Sequence, residues 1–154
     1  MLANFMLSIL NYAAKKGVSA APGESGPKEA ARQTGVKGET YAYWYLRRHG
    51  YTPVAKNFTV AGVKGEIDII AYDGPVLAFV AVKTRSDSGP IPSRPEDAVN
   101  RDKRRNLTRM ARQFLRSRRI ESAWCRFDVV AIEAHPGQKP VVRLHKDAFG
   151  IGAG

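Results

Sequence analysis

Hydrophobic and polar positions follow a helical period from residue 38 to residue 49. Four positions at i, i+3, i+4 and i+7 share one face of such a helix, and they are Glu39, Ala42, Tyr43 and Leu46. Gly50 is a typical residue for ending the helix. Because Glu39 falls on the apolar face, its carboxylate is costly to bury unless it is paired or binds a cation. A position in the first helical turn, where the helix dipole favours an acid, would also explain it.

Segments with β character come next. Residues 51–60 predict a strand, and Pro53, which lacks a backbone N–H, predicts that this strand lies at a sheet edge or enters from a turn. The segments GEIDIIAY (65–72) and PVLAFVAVKT (75–84) are joined by Asp73-Gly74 and predict a hairpin. Residues 85–95 contain three prolines and predict a loop.

The second half of the chain adds one helix and two strands. Residues 96–119 predict a helix with an apolar stripe formed by Val99, Leu107, Met110, Ala111 and Phe114. The segment WCRFDVVAIE (124–133) and residues 141–145 predict strands joined by a turn at Pro136-Gly137. Strands divided by a helix indicate an α/β or α+β sheet, with the second helix packed on one face.

The length of 154 residues suits one hydrophobic core. We expect the domain to cover residues 35–146, after an amphipathic helix and flexible linker in residues 1–34 and before a tail of residues 147–154. No Lys or Arg precedes the apolar start of the chain, and no uncharged stretch reaches 18 residues, so we expect neither a signal peptide nor membrane association. Cys125 is the single cysteine, which fits a reducing cytoplasm.

Positive charge is concentrated on the second predicted helix. The chain has 25 Lys and Arg against 14 Asp and Glu, a net charge of +11, and residues 94–119 alone hold ten of these cations and three of the anions. So strong an excess of positive charge on one helix favours a nucleic-acid partner over a solvated helix face or an acidic protein partner. The candidate contacts are Arg85, Arg101, Lys103, Arg104, Arg105, Arg109 and Arg112.

Acidic side chains recur in the first strand of the predicted hairpin. Strand alternation puts Glu66 and Asp68 on one face, and together with Glu39 they could meet at one point, where a divalent cation would relieve their repulsion. Oxygen ligands without clustered His or Cys favour Mg²⁺ or Mn²⁺. Such a centre suits phosphodiester hydrolysis, with Lys83 adding positive charge. Taken singly, each residue also has a structural explanation, such as an ion pair between Glu66 and Lys64.

The ordered set of these motifs resembles the YraN family. The matching stretches are GETYAYWYLRRHGY from residue 38, the segment from Asn57 through GEIDIIA, then LAFVAVKTR and RFDVVAIE, which together cover about residues 35–133. The YraN family consists of small bacterial proteins in the PD-(D/E)xK, or restriction-endonuclease-like, superfamily, which includes archaeal Holliday junction resolvases. The resemblance implies a restriction-endonuclease-like α/β fold, with a central mixed five-stranded sheet flanked by helices. It also implies a site formed by Glu39, Asp68, position 81 and Lys83, with Glu39 and Asp68 as metal ligands.

Position 81 departs from the family pattern. The family reads F-V-E-V-K where this chain reads FVAVK at residues 79–83, so Ala81 replaces the expected third acid. Glu66, about 6 to 7 Å along the strand from Asp68, is one candidate replacement. The alternatives are a protein that has kept binding and lost cleavage, or an introduced residue at position 81. Losing much of the metal-ion stabilisation would slow cleavage on the order of a hundredfold or more.

The leading functional hypothesis is a divalent-metal-dependent DNA endonuclease, acting on branched or otherwise structured DNA and weakened by Ala81. Its candidate catalytic residues are Glu39, Glu66, Asp68 and Lys83. A non-catalytic nucleic-acid-binding module and an adaptor for an acidic protein partner are the alternatives. Because resolvase relatives act as dimers, a homodimer is one option for the assembly.

Overall fold

The computed structural model describes residues 27–85, 99–134 and 137–150, with residues 27–36 described by their backbone alone. The predicted amphipathic helix near the start of the chain, the part of its linker before residue 27 and residues 86–95 of the predicted loop lie outside the described residues. Residues 27–34, which were predicted as flexible linker, are helical. The elements in chain order are α1 (Pro27–Arg48), β1 (Tyr51–Phe58), β2 (Ile67–Asp73), β3 (Val76–Arg85), α2 (Arg101–Ser117), β4 (Trp124–Glu133) and β5 (Val141–Phe149).

The five strands form one mixed sheet in the order β1-β2-β3-β4-β5. Only β3 and β4 are parallel, and the other neighbouring pairs are antiparallel. The long connection between the parallel strands contains α2, because parallel neighbours need a crossover rather than a tight turn. This arrangement confirms the predicted α/β fold with a mixed five-stranded sheet, and β1 is an edge strand, as Pro53 predicted.

The two helices cover opposite faces of the sheet. On one face α1 packs Ala42 and Leu46 onto a buried cluster whose strand members are Tyr51, Ile69, Ala71, Ala78, Val80, Val130 and Ile132. On the other face α2 buries Leu107, Met110, Ala111 and Phe114 against Ile67, Ile70, Leu77, Phe79, Ala81, Phe127, Val129, Ala148 and Phe149. The sheet therefore lies between the two helices in a three-layer fold, and β3 is its central strand.

Several element boundaries differ from their predictions. α1 begins at Pro27 rather than at residue 38. α2 begins at Arg101 rather than at residue 96, because Asn100 has extended backbone angles and its side chain accepts a hydrogen bond from the Lys103 N–H at 2.9 Å. β5 continues to Phe149, whose buried ring stacks on Phe127 with centroids 4.7 Å apart. Residues 147–149 therefore belong to the sheet, where a tail was predicted.

A network of buried and partly buried charged residues links the strands at the hairpin end of the sheet. Asp128 is fully buried and accepts hydrogen bonds from the Tyr51 hydroxyl at 2.9 Å, from Arg126 at 2.9 Å and from the Asp147 N–H at 3.0 Å. Arg126 also pairs with Asp73, and it holds the pKa of that carboxyl below its usual value. Within the described residues no buried side-chain nitrogen or oxygen lacks a partner, so this network stabilises the fold rather than presenting free groups.

Among the helices that the structure describes, none is long and apolar enough to cross a lipid bilayer.

Candidate functional site

Three carboxylates converge at the end of the sheet opposite the hairpin turn. Glu39, Glu66 and Asp68 each offer an oxygen, and these oxygens all lie within 4.8 Å of one another. Like charges at this separation repel strongly unless a proton or a cation intervenes. The donor set, with three oxygens and no sulfur or imidazole, matches the preference of Mg²⁺ and Mn²⁺. These three residues could therefore hold one divalent cation.

Gly38 allows α1 to bring Glu39 to this point. A Cβ atom at residue 38 would lie 1.8 Å from Oγ1 and 2.9 Å from Cβ of Thr84 on β3, distances far inside van der Waals contact. The helix therefore packs against the end of β3 more closely than a residue with a side chain at position 38 would permit. Since Glu39 is the next residue along the chain, the close packing at Gly38 fixes the position of its carboxylate.

Asn57 on β1 holds the Glu39 carboxylate from the other side. Its side-chain nitrogen donates to Oε2 of Glu39 at 3.0 Å. Asn57 has a φ of 48°, in the left-handed region that Asn tolerates better than most residues. It lies between the register pairs Lys56–Ile69 and Phe58–Ile67, hence opposite Asp68. This irregular position in β1 turns a polar side chain towards the acidic cluster.

Asp68 interrupts the regular pairing of β2 with β3. Its Oδ2 accepts a hydrogen bond of 2.6 Å from the backbone N–H of Val82, and regular pairing begins only at Ile69 with Val80. As a result, Ile67 packs with Ile70 in the α2-facing cluster while Ile69 packs on the α1 side. The strict alternation predicted for the start of this strand is therefore wrong, because a side chain replaces a backbone acceptor there.

The environment of Asp68 disfavours its charged form. The pKa of its carboxyl is raised from 3.8 to about 6. Burial is the largest cause, Glu39 and Glu66 also raise the pKa, and the Val82 N–H and Lys103 lower it. A carboxyl that is hard to ionise, next to two other acids, is typical of a functional site. It also means that the folded chain carries an unfavourable charge here at neutral pH.

Two lysines adjoin the acids. Lys83 on β3 and Lys103 in the first turn of α2 lie close enough to repel each other, and burial followed by this repulsion lowers the pKa of Lys83 to about 8, while Asp68 raises it. Lys103 also influences the Asp68 carboxyl. Lys103 was predicted to contact nucleic acid together with the arginines of α2, and the structure places it beside Lys83, on a different side of the helix from the exposed arginines.

Ala81 lies on the same strand, two residues before Lys83. Its side chain is buried, 4% exposed, in the cluster between the sheet and α2. β3 contains no Asp or Glu anywhere from Val76 to Arg85. Glu66 is thus the residue that accompanies Glu39 and Asp68 as a third acid, which matches the first of the three explanations for the missing carboxylate.

The remaining predicted contacts divide into two groups. Four of them lie on α2 together with Arg116, which was not among the predicted contacts, and these five exposed arginines fall within an arc of about 80° at 3.6 residues per turn, on the side away from the sheet. We call them the arginine stripe: Arg101, Arg105, Arg109, Arg112 and Arg116. None of the five forms an ion pair with an acid in the part of the chain that the structure describes.

Arg104 and Arg85 are not part of the arginine stripe. Arg104 donates from Nε to the Val99 carbonyl at 2.9 Å, and its guanidinium lies 5.4 Å from the centre of the Phe149 ring. Arg104 therefore anchors the start of α2 to β5. Arg85 is exposed at the end of β3, on a different element.

Sequence reasoning missed Gly38 and Asn57 as residues that position the site. Gly38 offered a signal, since a glycine inside a predicted helix lowers helix propensity and calls for a packing reason. Asn57 stood in the stretch that carried the family resemblance, but its contact with Glu39 joins residues 18 positions apart in the chain. No periodicity of the sequence contains that information.

Comparison with known proteins gives a consistent set of relatives. The model of a family described as "Uncharacterised protein family UPF0102" matches residues 38–132. A UPF0102 protein of Koribacter versatilis is 42% identical over 117 residues, 76% of this chain and 79% of its own length. A UPF0102 protein of Symbiobacterium thermophilum is 42% identical over 119 residues, 77% of this chain and 98% of its own. A UPF0102 protein of Geobacter metallireducens is 40% identical over 120 residues, which is 78% of this chain and 94% of its own length.

Proposed function

The chain belongs to the uncharacterised protein family UPF0102, the YraN family, and from that premise we propose that it is a divalent-metal-dependent nuclease that binds DNA through the arginine stripe. The observation that carries the proposal is the convergence of Glu39, Glu66 and Asp68, with oxygens within 4.8 Å of one another, beside Lys83. Acids and a lysine in this arrangement suit hydrolysis of a phosphodiester.

Each residue of the cluster has a distinct task in this proposal. Glu39, Glu66 and Asp68 would hold the cation, and the Val82 N–H orients the Asp68 carboxylate for this task. A divalent cation bound there would supply positive charge for the phosphoryl oxygens and promote deprotonation of the attacking water. Lys83 stabilises the negative charge that develops when the water adds to phosphorus and the P–O bond to the leaving strand breaks. The products are one hydroxyl end and one phosphate end.

Ala81 weakens the activity in this proposal rather than removing it. Glu66 supplies a third oxygen, but it comes from the residue preceding β2 and not from the central strand. The matched experiment is to assay the purified chain and its Ala81→Glu variant on branched, duplex and single-stranded DNA with Mn²⁺. We expect slow cleavage by the native chain and cleavage at least tenfold faster by the variant.

Two further variants control this assay. Because Ala81 is buried, Ala81→Asp with its shorter side chain tests the same idea should the glutamate disturb folding. The double variant Ala81→Glu/Asp68→Asn must be inactive, which excludes a contaminating nuclease. Absence of cleavage in the native chain and in both folded Ala81 variants, on all three substrates, would refute the nuclease proposal.

DNA binding rests on the arginine stripe. From Arg101 to Arg116 the stripe extends about 22 Å at 1.5 Å per residue, which is the length of about six base pairs of duplex. Five contacts with phosphates would give a slope of roughly −4 to −5 in a plot of log affinity against log salt. Replacing Arg105 and Arg109 with Ala should reduce that slope by about two, without changing sequence preference, because phosphate contacts carry no sequence information.

The matched control for the stripe is the pair Arg47 and Lys56. Both are exposed and lie on the α1 side of the sheet, where they contact the rings of Trp44 and Tyr43. Their replacement with Ala removes the same charge and should leave the salt slope within one unit of the native value. Equal effects of the two double variants would mean that net charge, not the stripe, governs binding. A flat salt dependence would favour the adaptor alternative.

A further inference from the structure

Lys103 occupies an unusual position for a charged residue of an exposed helix. At i−4 from Leu107 and i−7 from Met110, it lies on the sheet-facing stripe of α2, on the opposite side from the arginine stripe. Its side chain is partly buried. A lysine in a helix of this kind normally extends into water, because its ammonium is strongly hydrated. The fold instead holds Lys103 against the end of β3.

Lys83 lies beside Lys103 at the end of β3, and neither lysine is paired with a carboxylate of its own among the described residues. Position 81, the preceding residue on the same face of β3, is Ala. Neither ammonium forms a salt bridge with an acid among the described residues. Asp68, the acid that influences both lysines, is held by the Val82 N–H within the acidic cluster. Two adjacent like charges cost free energy, and an anion placed between them would remove that cost.

The start of α2 adds to the positive potential at this point. Asn100 caps the helix and accepts from the Lys103 N–H, so the positive end of the helix dipole lies beside the two ammonium groups. Lysine ammonium groups carry three donors each and bind phosphate as compact point charges. The several acceptor oxygens of a phosphate can accept hydrogen bonds from both lysines simultaneously.

We infer that Lys83 and Lys103 form a phosphate-binding subsite beside the acidic cluster. Resting on the proposed function, this inference assigns to the subsite a backbone phosphate of the nucleic-acid substrate and makes Lys103 a residue that positions that phosphate for cleavage. The arginine stripe lies on the side of α2 away from the sheet, so it would bind a different part of the same substrate. A long substrate is required to contact both.

The test uses inorganic phosphate as the probe, so that it needs neither a metal nor cleavage. The full chain carrying Asp68→Asn, in buffer with a chelator, is titrated with sodium phosphate by isothermal titration calorimetry. We expect measurable phosphate binding. Adding Lys103→Ala should raise the dissociation constant at least tenfold, whereas adding Lys103→Arg should change it by no more than about threefold. Lys103→Gln serves as a second neutral variant if the alanine variant does not fold.

Lys64→Ala is the matched control, because Lys64 is an exposed lysine in the turn that precedes Glu66. It removes the same charge and should leave phosphate affinity unchanged. No binding in the Asp68→Asn chain, or equal affinity with and without Lys103, would overturn the subsite. A parallel titration with a short single-stranded oligonucleotide distinguishes free phosphate from nucleic acid as the natural ligand, since only the latter should show the same dependence on Lys103 at micromolar concentration.

The outcomes separate the subsite from the nuclease. Phosphate binding that depends on Lys103, together with no cleavage by the native chain or its Ala81 variants, would refute the nuclease and retain the subsite. Cleavage that proceeds with unchanged KM and kcat in Lys103→Ala would overturn the subsite and retain the nuclease.

Discussion

Replacing Asp68 with Asn should stabilise the protein in the absence of metal, by an amount that depends on pH. Burial and the neighbouring acids raise the pKa of this carboxyl from 3.8 to about 6 in the folded state. The folded chain therefore binds a proton more tightly than the unfolded chain does, and the free energy of unfolding falls as pH rises between these two values. Asn removes the ionisation, and its side-chain oxygen can still accept from the Val82 N–H.

The magnitude follows from the size of the pKa change. At about 1.4 kcal/mol for each tenfold change in proton affinity, ionising Asp68 costs about 3 kcal/mol at pH 7 and about 0.5 kcal/mol at pH 4. The difference in stability between Asp68→Asn and the native chain should show the same pH dependence. At pH 7 it corresponds to a melting temperature roughly 6 to 12 °C higher for the variant.

Urea denaturation from pH 4 to pH 8 in buffer with a chelator measures this difference. Glu121→Gln, at an exposed acid, is the control for removing one negative charge, and its effect should be small and independent of pH. Adding Mn²⁺ at pH 7 should stabilise the native chain and leave Asp68→Asn unaffected, because a cation bound by the three acids stabilises their charged forms. A stability difference that stays constant across the pH range would refute this reasoning.

Two further predictions concern the residues around the site and the network at the other end of the sheet. Gly38→Ala should lower the free energy of unfolding by about 1 to 3 kcal/mol through overpacking, and it should weaken Mn²⁺ binding. Adding Thr84→Ala should restore part of the stability and part of the binding, because it removes Oγ1, the atom nearest to the new Cβ. An unchanged melting temperature and unchanged Mn²⁺ affinity in Gly38→Ala would contradict this prediction. Asp128→Ala should destabilise the fold by about 3 to 5 kcal/mol in urea denaturation, since it leaves Arg126 without a main partner, whereas exposed Glu121→Ala should change stability by under about 0.5 kcal/mol.

The sheet and its helices were predictable because their signals are local. The two β-rich segments at residues 65–72 and 75–84, joined by a turn at Gly74 whose φ is 58°, predicted the hairpin close to its observed bounds. β4 was predicted residue for residue, from 124 to 133. Errors occurred where long-range contacts decide the boundary, as at Phe149, whose place in β5 depends on stacking against Phe127.

The candidate site was predictable in its membership and less so in its arrangement. Glu39 drew notice as an acid on an apolar helix face, and the family resemblance joined it to Asp68 and Lys83. The separation of Lys103 from the arginine stripe was also readable in principle, since Lys103 shares the helical period of Leu107. The concentration of charge on that helix concealed this difference.

By itself, the sequence determined the periodic elements, the excess of positive charge on α2 and the types of residue available for chemistry, because each depends on neighbours within a few positions. Only the tertiary structure decided that Glu66 joins Glu39 and Asp68, and that Lys103 turns inward to Lys83 while the other cations face outward. These contacts connect separate elements, and their geometry depends on how closely α1 and α2 pack onto β3, which the missing Cβ of Gly38 and the cap at Asn100 control.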